Sequence, residues 1–159
     1  MGAQVDRILR LWDETFEKES WHVPLIDAVR GLQAAQAAWK PAPERHSIWQ
    51  IVEHLIFWKE YMLSRLRGAP RGPSGWAKGL DWKDVWETTD SAWEDTLRRL
   101  VEVQKALKAE LGRRSDDDLD VPLPGSSFPL FTIQTMAVHD AYHCGQICYL
   151  RALQGIPVG

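Results

Sequence analysis

Apolar residues recur at every third or fourth position through four long stretches of this chain, and this periodicity constrains the fold more than any other feature. Such spacing collects apolar side chains on one side of an α-helix, and that side must be covered by a partner. The stretches predict helices over about residues 3–18, 47–66, 91–112 and 132–154. Because alternating strand-like patterns are scarce, the sequence predicts an all-α protein, a four-helix bundle.

Capping residues and a glycine refine the boundaries of these helices. Ser47 with Gln50, and Ser91 with Glu94, each form the residue pair that satisfies free backbone N–H groups at a helix N-terminus. Between the first two long helices, the stretch PLIDAVRGLQAAQAAW predicts a short extra helix. Gly31 is expected to weaken the middle of that short helix.

Two long connections join the helices, about residues 68–88 and 113–131. Loops of this length in a compact domain are usually functional or mobile. The second holds the acidic run DDDLD, which is expected to be solvated. The segment 76–93 is rich in tryptophan, which predicts either an aromatic lid or the commoner case, side chains that anchor the loop to the bundle. Its tryptophans are Trp76, Trp82, Trp86 and Trp93.

Length and composition exclude several classes of function. The chain fits a single domain over residues 1–159 and carries a net charge of −3, without the basic excess that nucleic-acid binding requires. No apolar run is long enough to span a bilayer, and the N-terminal stretch lacks a signal-peptide pattern, so no membrane partner is expected. Cys144 and Cys148 do not resemble a disulfide framework, and this favours a cytoplasmic protein.

The stretch HDAYHCGQI holds two histidines, His139 and His143, four residues apart on the last predicted helix. At 100° per residue both fall on the apolar side of that helix, whereas the two cysteines point well away from His139. Buried imidazoles need partners for their ring nitrogens, and burial disfavours their charged forms. A divalent cation meets both needs, and hydrogen bonds to carbonyls or carboxylates are the alternative.

A third histidine, His54, lies at the edge of the buried face of the second long helix. Helices distant in sequence present inward side chains at one level of a bundle, and metal sites are commonly built in this way. Three neutral histidines would leave coordination positions open for water or substrate. His22 and His46 lie at predicted helix boundaries and are expected to be surface or capping residues.

Two other metal motifs fit the sequence poorly. HDAYH has Asp140 where the zinc-protease motif H-E-x-x-H has its general base, and no downstream residue supplies a third ligand. A di-iron carboxylate bundle needs two E-x-x-H motifs. The chain has one match, from Glu19 to His22, and it lies off any strong apolar stripe.

Taken together, the segments HSIWQIVEHLIFW and HDAYHCGQICYLR resemble the DinB/YfiT-like superfamily of small metal-binding four-helix bundles. The resemblance covers essentially the whole chain in helix order and loop placement. It implies a divalent metal, usually zinc or nickel, held by His54, His139 and His143. Characterised relatives include bacillithiol-dependent transferases and mycothiol- or glutathione-dependent isomerases. The resemblance thus implies a thiol S-transferase or related enzyme, with a low-molecular-weight thiol and an electrophilic small molecule as partners.

Three further residues are candidates for supporting the site. Gln146 lies on the same face as the histidines, where its amide would hold a ligand, orient a histidine, or simply pack in the bundle. Asp140 is placed either to accept an N–H from a ligating imidazole or to pair with a basic residue of another helix. Tyr61, one turn beyond the third histidine, either reaches the site with its hydroxyl or packs at the bundle edge.

The sequence is also compatible with two other functions and with a homodimer. A non-catalytic, metal-stabilised stress or binding protein, and metal-dependent hydrolysis at the same site, are both compatible with a histidine triad. A sealed or four-ligand site would count against catalysis, and an open position beside a cleft would favour it. An exposed aromatic patch could be buried in a homodimer interface.

Overall fold

The computed structural model describes residues 2–18, 20–69, 80–123 and 127–158. These residues form helices and contain no β-strand, so the predicted all-α bundle is confirmed. Glu19 and Trp76, both singled out in the sequence, lie outside the described residues. The helices are α1 (Ala3–Phe16), α2 (Leu25–Val29), α3 (Ala34–Ala38), α4 (Ile48–Leu66), α5 (Asp90–Leu111) and α6 (Thr135–Leu153), with 3-10 helices at Asp116–Asp120 and Leu130–Gln134.

The N-termini of α4 and α5 show one correct and one wrong capping prediction. At α4 the Ser47 hydroxyl accepts from the backbone N–H of Gln50, and the Gln50 amide oxygen accepts from the backbone of Ser47, both at 3.2 Å. At α5 the cap is Thr89 rather than Ser91, since the Thr89 hydroxyl accepts from the backbone of Ala92. Asp90 is therefore the first residue of α5. Its carboxylate accepts from the backbone N–H of Ala34 at 2.8 Å, which links α3 to α5.

Two other predicted helices differ in length from those observed. The short extra helix is divided into α2 and α3, because Gly31 adopts φ +72°, a left-handed conformation that a helix cannot contain. The last helix begins at Thr135 rather than near Thr132, since the preceding turn is 3-10.

The core of the bundle lies around α4, which packs against both α5 and α6. Towards one end the buried side chains include Leu55 of α4, Trp93 of α5 and Ile147 of α6. Towards the other end Trp12 of α1 and Leu107 of α5 belong to a second buried cluster. This packing brings the first half of α4 beside the first three turns of α6, and these two segments carry the candidate ligands.

None of the helices in the described ranges combines the length and the apolar character needed to cross a bilayer.

Candidate metal centre

Three histidine nitrogens converge where α4 meets α6. His139 Nε2 lies 3.1 Å from His54 Nε2 and 3.1 Å from His143 Nε2. One ligand atom from each of the three residues falls within 4.8 Å of the others. Zn–N bonds of about 2.0–2.1 Å at tetrahedral angles would separate two nitrogens by about 3.3 Å, close to the spacing observed. The three residues therefore fit a divalent cation in geometry and in ligand type.

The outer nitrogens of two of these rings are already engaged. His54 Nδ1 lies 3.2 Å from the carbonyl oxygen of Asp81, and His143 Nδ1 lies 2.7 Å from the amide oxygen of Gln146. Both oxygens only accept, so each Nδ1 carries the hydrogen and each Nε2 presents a lone pair. A single N–H on His139 Nε2 cannot satisfy both lone pairs at once. A cation between the three nitrogens would satisfy them all, as in metal sites whose histidines are oriented through their second nitrogen.

The protonation of the three imidazoles also suits metal binding. Burial, together with the neighbouring imidazoles, lowers the pKa of His54 to about 4 and that of His139 to about 3. Burial lowers the pKa of His143 as well. The rings are therefore neutral at pH 7, and neutral imidazole is the form that ligates metals.

Protein treated with chelator should lose stability as the pH falls below about 6.5. The unfolded imidazole of His54 takes up a proton near that pH, whereas the folded one does so only near pH 4, so the unfolded state binds more protons in between. The free energy of unfolding, measured by urea titration at pH 7.5, 6 and 5, should fall less steeply in His54→Gln than in the wild type. His22→Gln, which alters an exposed histidine outside the triad, is the control. Equal slopes for wild type and His54→Gln would contradict the prediction.

An aromatic stack covers one face of the candidate ligand on α4. The ring centroids of Trp82 and His54 are 4.0 Å apart at an interplanar angle of 15°, and Trp82 also stacks on His46 at 3.7 Å and 13°. His46, expected to be a surface or capping residue, is exposed but takes part in this stack. Asp81 and Trp82 come from the connection between α4 and α5, where no periodic pattern indicated a role.

The other described tryptophans of the segment 76–93 differ from Trp82. Trp93 is a core residue of α5, and its indole N–H donates to the carbonyl of Leu32 at 2.9 Å. Trp86 is largely exposed. The segment is therefore not a uniform aromatic lid: one side chain flanks the site, one belongs to the core and one faces solvent.

An open cleft of about 750 Å³ lies above the triad. His54 and His139 are among its lining residues, so the triad borders the cleft. Most of its lining is apolar, and Asp81 is the acidic residue among the described lining residues. The remaining lining residues are Trp58, Met62, Thr135, Met136, Val138 and Tyr142. An accessible coordination position beside a cleft is the feature expected of a reactive metal site rather than a sealed one.

The three supporting candidates occupy different places. Gln146 accepts from His143 and therefore orients a candidate ligand, and its amide N–H donates to the Tyr142 hydroxyl at 3.2 Å. Asp140 points away from the cleft and pairs with Lys59 at 2.6 Å, so of its two expected roles the ion pair is the one observed. Tyr61 packs edge-on against Trp58, which itself lines the cleft.

The burial of Asp140 also removes the protease-like interpretation of HDAYH, because this carboxylate faces the core and not the cleft. His22 of the single E-x-x-H match is exposed, with Nδ1 3.0 Å from the carbonyl of Val23.

Cys144 and Cys148 are free thiols. Burial raises the pKa of the Cys144 thiol to about 12, and its S–H donates to the carbonyl of Val23 rather than to the triad.

Replacing Gln146 with leucine should weaken metal binding by about 10- to 100-fold, the usual effect of removing a residue that orients a ligating histidine. The reason is the 2.7 Å contact that fixes the ring of His143. Competition with a chromophoric chelator measures the affinity. Gln146→Glu keeps an acceptor oxygen and should retain binding, and Gln154→Leu removes an amide directly after α6 that contacts α3 instead. Undiminished affinity in Gln146→Leu would contradict the prediction.

Comparison with known proteins agrees with this architecture. A family model described as the DinB superfamily matches residues 24–147 of the chain, a span that includes all three histidines. Searches of curated proteins and of solved structures found no match.

Proposed function

Since the chain belongs to the DinB superfamily, we propose that it is a metal-dependent S-transferase that joins a low-molecular-weight thiol to an electrophilic small molecule. The observation that supports this most is the convergence of three neutral histidine nitrogens beside an open, largely apolar cleft that His54 and His139 line. His54, His139 and His143 would hold the metal, zinc or nickel. Such a metal, once bound, favours the thiolate form of a thiol at neutral pH, which is the nucleophilic form.

The cleft residues have distinct roles in this proposal. Trp58, Met62 and Met136 offer apolar surface to the carbon skeleton of the electrophile and exclude water around the reacting sulfur. In the transfer a sulfur–carbon bond forms, the leaving group departs with its electron pair, and the thiol proton passes to solvent. Tyr142 lines the cleft and its hydroxyl accepts from Gln146, which leaves the hydroxyl hydrogen available for a polar group of the substrate.

The openness of the site is what favours a catalyst over a purely structural metal protein. A structural zinc site is normally closed by four protein ligands. Three ligand residues converge here among the described residues, and two of them face the cleft. The non-catalytic alternative therefore has weaker support, although the metal itself is common to both.

Hydrolysis at the same site is the second candidate, and Asp81 is the residue that favours it. Its carboxylate lies 3.5 Å from His54 Nδ1 and lines the cleft. A carboxylate in that place could serve as a general base for an attacking water. Because its backbone carbonyl and its side chain both contact His54, orientation of that ring is the simpler role.

A thiol-consumption assay tests the proposal. Protein stripped by chelator and reloaded with Zn²⁺ or Ni²⁺ should consume bacillithiol, mycothiol or glutathione in the presence of an activated aryl chloride. The activity should disappear on stripping and in His139→Gln, and it should persist in His22→Gln. Metal-loaded protein that consumes none of the three thiols would overturn the transferase proposal, and ester cleavage lost in Asp81→Asn would support hydrolysis instead.

A further inference from the structure

The outward face of α6 carries no charged side chain among the residues that the structure describes. The two formally charged residues of this helix, Asp140 and Arg151, are 1% and 4% exposed. The first pairs with Lys59, and the second donates to backbone carbonyls of Ala28 and Arg30. The exposed positions of α6 beyond its first residue are instead occupied by Val138, Tyr142, Gly145, Tyr149, Ala152 and Leu153.

This arrangement reverses the usual pattern of a bundle helix, in which charged residues face water. Helix α5 of the same protein follows that pattern, with Glu94, Arg98 and Glu102 among its exposed residues. On α6, Val138, Tyr142 and Tyr149 are each more than 60% exposed. A contiguous apolar patch of this kind on a protein surface typically marks an interaction site.

The exposed residues of α6 form one ridge. At 100° per residue they fall within an arc of about 100°, and the rise from Val138 to Leu153 is roughly 22 Å. At the centre, a Cβ added to Gly145 would have no neighbour within 4 Å, so another helix can approach the backbone closely at that point.

The ridge is also self-complementary in its spacing. Tyr142 and Tyr149 lie symmetrically about the midpoint between Gly145 and Gln146, and Val138 and Leu153 lie symmetrically about the same point. In a two-fold interface one patch meets its own copy, so residue i contacts residue j and residue j contacts residue i. An antiparallel pair of α6 helices would therefore set each Tyr142 against Tyr149 of the second copy.

We propose that the exposed face of α6 is the interface of a homodimer with an antiparallel α6–α6 pair at its centre. A second copy of the chain is the occupant that the symmetric spacing specifies, and an unrelated peptide would have no reason to match it. A membrane-surface helix would expose lysine or arginine beside its apolar face, and α6 exposes neither. This inference is independent of the proposed chemistry.

Two grooves beside the ridge would complete the interface. A standard interface buries about 800 Å² on each partner, more than a single helix ridge offers. Towards the N-terminal end of the ridge Val138 and Tyr142 line the cleft above the triad, and towards its C-terminal end Tyr149 and Leu153 line a second pocket of about 420 Å³. The dimer therefore carries Tyr149 of the second copy to the rim of the cleft, so that each copy completes the wall of the other's site.

Sedimentation velocity tests the interface directly. Wild-type protein at tens of micromolar should sediment at twice the 18.2 kDa mass of the chain, and Tyr149→Glu/Leu153→Glu should sediment as a monomer. Trp21→Glu/Trp86→Glu, which alters two highly exposed tryptophans elsewhere, should remain dimeric. A monomeric wild type, a double α6 variant that stays dimeric, or loss of the dimer in the control would each overturn the proposal. Circular dichroism establishes that the variants are folded.

Disulfide trapping tests the register without relying on disruptive variants. In a Cys148→Ser background, Tyr142→Cys and Tyr149→Cys are prepared separately, oxidised alone, and oxidised as a mixture. The antiparallel pairing predicts a covalent heterodimer in the mixture and little covalent homodimer in either sample alone. Efficient cross-linking of each variant with itself, or none in the mixture, would overturn the proposed pairing.

Discussion

Purified wild-type protein is expected to hold about one equivalent of a divalent metal per chain, and His139→Ala should hold almost none. His139 Nε2 lies 3.1 Å from the Nε2 atoms of both other histidines, so its removal leaves only two nitrogens to share a cation. His54→Ala should likewise lose the metal, because it removes the ligand that α4 contributes. Elemental analysis after gel filtration in metal-free buffer measures the content.

His22→Ala is the matched control for that measurement, since His22 is exposed and lies outside the converging triad. It should retain the wild-type metal content. Retention of metal by either His139→Ala or His54→Ala would show that these histidines do not form the site. Circular dichroism of each variant separates loss of metal from loss of fold.

A second large effect is expected at the buried ion pair between Lys59 and Asp140. Both side chains are 1% exposed, and their charged atoms lie 2.6 Å apart. Asp140→Leu leaves the ammonium of Lys59 buried without its carboxylate, beside the amide oxygen of Gln104 at 2.8 Å and the ring of Phe16, whose centroid is 5.4 Å away. Removing one member of a buried pair typically costs about 3–5 kcal/mol of unfolding free energy. Urea denaturation at pH 7 should show a loss of that size.

The double variant Lys59→Met/Asp140→Leu should recover most of the stability, because apolar replacement of a whole buried pair is often neutral or stabilising. Desolvation is also the largest influence on Asp140 and raises the pKa of its carboxyl despite the nearby ammonium. The desolvation free energy of burying the pair is therefore large. The cycle would contradict this account if Asp140→Leu were as stable as the wild type, or if the double variant were no more stable than Asp140→Leu. Arg98→Leu, which removes an exposed cation of α5, serves as a surface control.

The histidine triad could be predicted from the sequence because the helical repeat gives the side of its helix on which each histidine lies. His139 and His143 are one turn apart on a helix with a clear apolar stripe, and His54 lies at the edge of another. The structure brings these three residues together. The fold was predictable for the same reason, since four long stripes with local capping signals leave few arrangements other than a helical bundle.

The roles that the sequence did not reveal depend on contacts between distant segments. Asp81 and Trp82 belong to an aperiodic connection, and only the folded chain shows that one hydrogen-bonds His54 and the other stacks on it. Lys59 has the sequence environment of an ordinary helix lysine, and its burial depends on Gln104 of α5 and Asp140 of α6. The position of the break at Gly31 depends on a left-handed conformation that a helical pattern cannot indicate.

The way in which the connection around Asp81 is held has a consequence for local opening of the protein. Its backbone carbonyls at Asp81 and Lys83 accept from side chains of α4, namely His54 and Gln50. These residues form no helix of their own, and they are attached to the bundle through these hydrogen bonds and the packing of Trp82. Such a segment can open with a smaller free energy than global unfolding requires. Amide hydrogens there should exchange sooner than those of the helical core, and occupancy of the triad should slow that exchange.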